Sequence, residues 1–222
     1  MLSEADHRRV TEAVARAERA SDGEVVTIVA PRSDSYHDVA LHYAVLAMLL
    51  VPAAAAVVPQ SWIDWGLTLV FGWNASLSFR LLMLLILLTM ALLFLIVRFA
   101  LAWMPLRMAV TPAATRTRRV RRRAVELFRA GTEKRTKGRT GILLYLSLLE
   151  HRAEIVADEA IHSQFEPEIW GEAMAVLIDE VKQGRAGQGL ALAVEKVGAV
   201  LARILPPTLA NPDELPNRVI LL

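Results

Sequence analysis

The chain has 222 residues, of which 55% are apolar, and its 25 Lys and Arg nearly balance 23 Asp and Glu to give a formal net charge of +2. This apolar content, above the roughly 45–50% of an ordinary soluble domain, excludes a disordered chain, and 11 Gly and 10 Pro exclude a collagen-like one. Because the sequence contains no Cys, disulfides, thiolate metal sites and cysteine nucleophiles are excluded as well.

The first predicted elements are a helix and a strand. Ser3 followed by Asp6 three residues later indicates a helix that begins with a capping box. Apolar residues at helical spacing between positions 10 and 17 continue this helix, and Asp22 followed by Gly23 ends it in a turn. Residues 24–30 (EVVTIVA) are rich in β-branched side chains, which is typical of a strand.

Two long apolar segments follow, at residues 41–58 and 81–97. About 20 apolar residues in a helix cross the roughly 30 Å hydrocarbon core of a bilayer. The two segments therefore predict a helical hairpin with two membrane crossings. The first segment contains Pro52, which a membrane helix tolerates as a kink, and its alternative interpretation is a buried core helix or a re-entrant segment.

Four tryptophans flank these apolar segments. Amphipathic indole rings favour the headgroup layer, so we expect them to anchor the hairpin at the membrane interfaces. They are Trp62, Trp65, Trp73 and Trp103. The polar beginning of the chain (MLSEADHRRV) is not that of a cleaved signal peptide, and the hairpin is expected to remain in the protein.

A strongly basic segment occupies residues 105–139, whereas the loop between the two crossings holds only Asp64 and Arg80 as charged residues. The positive-inside rule places the basic side, and with two crossings both termini, on the cytoplasmic side of an inner (plasma) membrane. Juxtamembrane arginines are attracted to anionic lipid headgroups, so the bilayer itself is a predicted partner. Nucleic acid is not, because no recognised nucleic-acid module accompanies the cluster. The predicted membrane-surface residues are Arg116, Arg118, Arg119, Arg121, Arg122 and Arg123.

The rest of the chain alternates between helical and strand patterns. The two predicted strands are separated by a short turn and form a hairpin, and the residues after the last helix are predicted to be extended. The predicted elements are a helix over 112–130, strands over 141–148 and 153–157, and helices over 169–181 and 190–205.

This order of elements fits an α/β fold class, a three-layer α/β/α sandwich with a small mixed sheet, interrupted by an inserted two-helix transmembrane hairpin. Residues 1–40 form the N-terminal part of the α/β domain and residues 41–104 the hairpin. Residues 105–210 form the remainder of the domain with its basic helix, and residues 211–222 the extended tail.

Three segments resemble the TPM domain family: GRTGILLYLSLLEHRAEIVADEAI (138–161), the helix around 168–181, and GRAGQGLALAVEKVGAVL (184–201). ASDGEVVTIVAPRSDSY (20–36) resembles the first strand of that family. The resemblance implies an α/β/α sandwich that is often attached to a membrane. Members of the family have been assigned phosphatase, calcium-binding and auxiliary roles in membrane complexes. Family members often carry Gly near the end of the second hairpin strand, whereas this chain has Ala157, Asp158, Glu159 and Ala160 there.

Asp158 and Glu159 are the candidate metal ligands, because they follow a strand of an α/β sheet and carry the oxygen donors that Ca²⁺ or Mg²⁺ prefers. Their alternative roles are solvated loop acids or a helix cap. A metal-assisted phosphatase-like hydrolase is therefore one hypothesis. The chain has no Asp-x-Asp motif, no phosphate-binding loop and no His-rich two-metal cluster, so the sequence favours a binding or scaffolding module for a membrane partner, such as a membrane protein complex.

Overall fold

The computed structural model describes residues 2–72, 78–131, 140–158, 161, 167–208 and 217–222. The chain divides into two compact units. Unit 1 consists of Met1–Asp34 and Ala113–Leu222, and unit 2 is Ser35–Pro112.

Unit 1 contains the sheet, and unit 2 is helical in its described residues. The elements of unit 1 are α1 (Glu4–Arg19), β1 (Glu24–Ala30), α6 (Ala113–Gly131), β2 (Gly141–Ser147), β3 (Arg152–Ala157), a 3₁₀ turn (Pro167–Trp170), α7 (Gly171–Lys182), α8 (Ala186–Ile204) and β4 (Ile220–Leu221). Those of unit 2 are α2 (His37–Val57), α3 (Gln60–Phe71), α4 (Phe79–Ala100) and α5 (Met104–Val110).

The four-stranded sheet has the order β3-β2-β1-β4. β1 is parallel to β2, with Glu24 opposite Gly141, and β4 is parallel to β1, whereas β3 is antiparallel to β2. The predicted mixed α/β class with a small mixed sheet is thus confirmed. β4 is an addition to the prediction, since the tail was expected only to be extended. A strand of two residues is too short to produce a period-two pattern in the sequence.

Side chains of β1 and β2 alternate between two apolar clusters, so both strands are buried over their whole length. The first cluster joins the sheet to α1, α7 and α8 through Val25, Val29, Ile142, Leu144, Leu146, Val14, Leu177 and Val194, among others. The second joins the sheet to α6 through Val26, Ile28, Leu143, Tyr145, Val120, Ala124 and Phe128.

The N-terminal ends of α1 and α8 pack closely. The predicted capping box is present: the Asp6 backbone N–H donates to Ser3 Oγ (3.1 Å), and the Ser3 N–H donates to Asp6 Oδ2 (3.0 Å). Hydrogen bonds from Ser3 hold the pKa of Asp6 below its ordinary value. A Cβ atom on Gly187 would overlap the Asp6 side chain, so glycine permits this approach.

Candidate functional site

Unit 2 exposes a large apolar surface. α2 and α4 are long and apolar enough to cross a membrane, with mean hydropathies of 2.0 and 2.8 over 18-residue windows. α4 buries none of its residues, and α2 buries only Val39, Ala40 and Ala44. Soluble monomers rarely expose contiguous apolar patches of more than a few hundred Å².

Arg107 joins the two ends of this hairpin. Its side chain is buried, with the residue only 3% exposed, and Nε donates to the Leu101 carbonyl (2.7 Å) and Nη2 to the Ala102 carbonyl (3.2 Å). Nη1 donates to the carbonyl of Ser35 (2.6 Å) and lies 3.4 Å from His37 Nδ1. Because Leu101 and Ala102 follow α4 and Ser35 precedes α2, the end of α4 lies beside the start of α2. The two helices are therefore antiparallel.

Three of the four predicted interface tryptophans can be placed in unit 2. Trp62 and Trp65 lie on α3 and are 72% and 68% exposed, and Trp103 precedes α5 and is 66% exposed. Trp73 lies outside the described residues. Exposed indoles are compatible with the anchoring role, which stays a prediction.

The six predicted membrane-surface arginines all lie on α6 but differ in their partners. Four make ion pairs within unit 1, whereas Arg116 and Arg118 make none with any residue that the structure describes. The pairs are a close contact of Arg119 with Asp34, Arg121 with Glu154 (3.6 Å), and Arg122 and Arg123 with Glu126 (3.1 and 3.6 Å). Of these pairs, only those of Arg119 and Arg121 join α6 to other parts of unit 1, since Glu126 lies on α6 itself.

A buried polar cluster occupies the carboxyl ends of β1 and β2, where parallel sheets commonly bind ligands. The carboxylate of Glu150 accepts hydrogen bonds from the Ser33 N–H (3.0 Å) and closely from the Ser147 hydroxyl, and Ser33 Oγ lies 3.0 Å from the Tyr145 hydroxyl. Burial raises the pKa of Tyr145. These contacts hold the loop after β1 against β2 and the turn that follows it. Nothing in the sequence indicates it, because Ser33 is far from the other members along the chain.

Asp158 lies at the opposite end of the sheet. β3 is antiparallel to β2, so its last residue is beside the amino end of β2. Asp158 is buried, and its Oδ2 accepts from the N–H of Gly141 (3.0 Å). Glu159 lies outside the described residues. Within the described part of the chain, no group of three or more His, Asp or Glu residues could hold a metal ion. The cation site at these two residues stays a prediction.

A cleft of about 220 Å³ lies between α6, β3 and α7. Two of its polar side chains are partly buried without full compensation by ion pairs or hydrogen bonds from described residues. Burial raises the pKa of Glu154, an effect that nearby Arg121 partly offsets. Arg152 Nε is buried and has no hydrogen-bond partner among the described residues. The cleft is lined by Thr117, Val120, His151, Arg152, Ala153, Glu154, Met174 and Ile178.

Known proteins offer one point of comparison. No family model matches this sequence, and no curated protein matches it. Among solved structures, the chain is similar to the NMR structure of the BA42 protein from the psychrophilic bacterium Bizionia argentinensis. The two share 16% sequence identity with a TM-score of 0.57, over 100% of this chain and 96% of that one. Similarity at this identity concerns the fold alone.

Proposed function

We propose that this protein is an integral protein of the inner (plasma) membrane, in which α2 and α4 cross the bilayer and unit 1 is a cytoplasmic module that binds or scaffolds a membrane partner. The observation that carries the proposal is α4, a long apolar helix with no buried residue. A core helix of a soluble protein would bury one face.

The dimensions of the hairpin support two crossings. The 22 residues of α4 and the 21 of α2 span roughly 33 and 32 Å at 1.5 Å per residue, against a hydrocarbon core of about 30 Å. Pro52 lies inside α2 and is tolerated there as it is in membrane helices.

Strand pairing supports an even number of crossings. β1 precedes the hairpin and β2 follows it, yet the two strands pair over seven residues. They must therefore lie in the same compartment. The basic segment that follows α4 makes the cytoplasm the expected compartment under the positive-inside rule.

The finer fold assignment for unit 1 is a three-layer α/β/α sandwich of the TPM type. It is supported by the two apolar clusters, one between the sheet and helices α1, α7 and α8 and the other between the sheet and α6. The resemblance of the soluble segments to the TPM family supports the same assignment.

Labelling of single cysteines tests the topology cleanly, because the natural sequence contains none. Ser78→Cys precedes α4 on the expected outer side, and Ser3→Cys lies in unit 1. In intact cells a membrane-impermeant maleimide should label only the first, and both after lysis. Labelling of both in intact cells would refute the hairpin. Release of the wild-type chain from membranes by alkaline carbonate would refute membrane integration itself.

The hydrolase hypothesis can be tested on the same purified protein. A binding module should show no Ca²⁺- or Mg²⁺-dependent phosphatase turnover. Turnover that disappears in both Asp158→Asn and Glu159→Gln would instead support the metal-assisted hydrolase. Asp158→Asn alone is not decisive, because the carboxylate also caps the Gly141 N–H.

A further inference from the structure

The outer edge of β3 carries backbone groups that form no hydrogen bond with any described residue. β3 is at one end of the sheet order, with β2 as its neighbour. The Asp158 N–H donates to the Gly141 carbonyl (3.0 Å), and in an antiparallel ladder the hydrogen-bonded pairs recur at every second residue. Ala153, Ile155 and Ala157 therefore direct their N–H and C=O groups away from β2. No described residue hydrogen-bonds to these outward groups.

The 220 Å³ cleft lies along this edge. Ala153 forms part of its lining, Thr117 and Val120 of α6 form one wall, and Met174 and Ile178 of α7 form the other. The cleft is smaller than the roughly 300–1,000 Å³ of typical small-molecule sites. It is suited to side chains of an extended segment that lies between the two helices.

The two walls differ in charge. On the α6 side, Arg121 is 74% exposed, and its one ion pair with a described residue is the 3.6 Å contact with Glu154. Arg118 precedes it by three residues, on the same side of the helix, and makes no ion pair with a described residue. Arg152 adds a third cation, and its Nε has no hydrogen-bond partner among the described residues. The α7 wall presents Met174 and Ile178 and is apolar.

We propose that the edge of β3 binds an extended segment of a partner protein in which acidic and apolar residues alternate. Such a segment would pair with the outward groups of Ala153, Ile155 and Ala157 as an added strand. Because successive side chains of a strand point to opposite sides, its acidic residues would face α6 and its apolar residues α7. This inference rests on the proposed function only in taking unit 1 as a protein-binding module.

The proposal can be tested with fluorescein-labelled heptapeptides and the full chain in zwitterionic lipid nanodiscs. The probe alternates Glu and Val, and one control has the same composition with all Glu residues at one end. Fluorescence anisotropy should show at least about tenfold tighter binding of the alternating peptide. Equal binding of the two peptides, or no binding of either, would overturn the proposal.

Two versions of the alternating peptide, N-methylated at odd or at even amides, test strand pairing directly. An added strand uses every second N–H, so one version should lose binding and the other should keep it. If both versions bind like the parent peptide, backbone pairing is ruled out. A chain that dimerises through β3 and excludes the peptide would also overturn the proposal, since the edge would then bind a second copy.

Variants that reverse a charge test whether the peptide binds between α6 and β3. Arg121→Glu should weaken binding of the Glu/Val peptide by about tenfold and favour an alternating Lys/Val peptide. Arg122→Glu makes the same charge change at a neighbouring, 76% exposed position that pairs with Glu126 of α6 and not with the cleft residue Glu154, so it should change affinity less than about twofold. Ile178→Ser should weaken binding without altering the charge preference. Equal effects of Arg121→Glu and Arg122→Glu would overturn the proposal.

The membrane and peptide experiments test separate claims, and either claim can be refuted without the other. Peptide binding by a chain that carbonate extracts from membranes would refute only the membrane assignment. A carbonate-resistant chain that binds no peptide would refute only the strand-addition site.

Discussion

Arg107→Met is predicted to loosen the α2–α4 hairpin. The substitution keeps a long side chain but removes the three hydrogen bonds to the carbonyls of Leu101, Ala102 and Ser35. A hydrogen bond to a charged group contributes about 1.5–3 kcal/mol, and the contributions of a shared donor do not add fully. The two short bonds, at 2.7 and 2.6 Å, should dominate, so we expect a loss of about 3–5 kcal/mol in the free energy of unfolding of unit 2.

Tryptophan fluorescence is a selective assay for this change. Four of the five tryptophans, Trp62, Trp65, Trp73 and Trp103, belong to unit 2. Denaturant or thermal unfolding in detergent, followed by fluorescence, should therefore report mainly on the hairpin. Far-UV circular dichroism of the same samples, which sums over both units, should lose only part of its signal at temperatures where the hairpin has opened, because unit 1 stays folded.

Two matched variants separate the hydrogen bonds from the charge. Arg107→Lys keeps the positive charge but cannot reach three carbonyls with one planar group, so it should fall between wild type and Arg107→Met. Arg98→Met removes a charge from the last turn of α4, where the arginine makes no hydrogen bond or ion pair with a described residue. Its stability should change by less than about 1 kcal/mol. Equal stability of Arg107→Met and wild type would refute the assigned role of Arg107.

Three further predictions concern unit 1. Gly187→Ala should lower the free energy of unfolding, measured by thermal unfolding, by about 1–3 kcal/mol because the added Cβ overlaps the Asp6 side chain. Gly171→Ala places its Cβ in open space and should have little effect, and equal effects of the two substitutions would contradict the packing. Because burial raises the folded-state pKa of Glu154, wild type should lose stability as pH rises above the ordinary value of 4.5. Glu154→Gln should then be more stable than wild type at neutral pH. Unfolding curves recorded across pH should show this extra stability disappear in acid, and a difference that does not depend on pH would contradict the burial of a charged Glu154. Anionic nanodiscs should stabilise Arg118→Gln by about 1 kcal/mol less than they stabilise wild type. The difference should be smaller for Arg122→Gln, because Arg122 is ion-paired with Glu126, and equal differences would indicate a diffuse charge effect.

The local elements of this fold could be predicted where their determinants are close along the chain. The capping box of α1 depends on two residues three positions apart, and β1 is a continuous apolar run because both its faces are covered. The hydrogen bonds of Arg107 to the carbonyls at the two ends of the hairpin could not be predicted in the same way. Its partners lie on both sides of the hairpin, and an arginine in a basic segment has the sequence pattern of a lipid contact whether or not its guanidinium is buried.

The direction of β3 determines which groups of unit 1 can bind a ligand. A connection of only four residues, 148–151, forces β3 to run antiparallel to β2, so the carboxyl-end rule for parallel strands does not extend to Asp158. At the end of the sheet where the rule does apply, Glu150 already accepts the hydrogen bonds that a ligand would otherwise donate. Along the outer edge of β3, backbone amides and carbonyls at every second residue have no partner among the residues that the structure describes. Backbone groups leave no motif in a sequence, and only the pairing register shows which of them face outward.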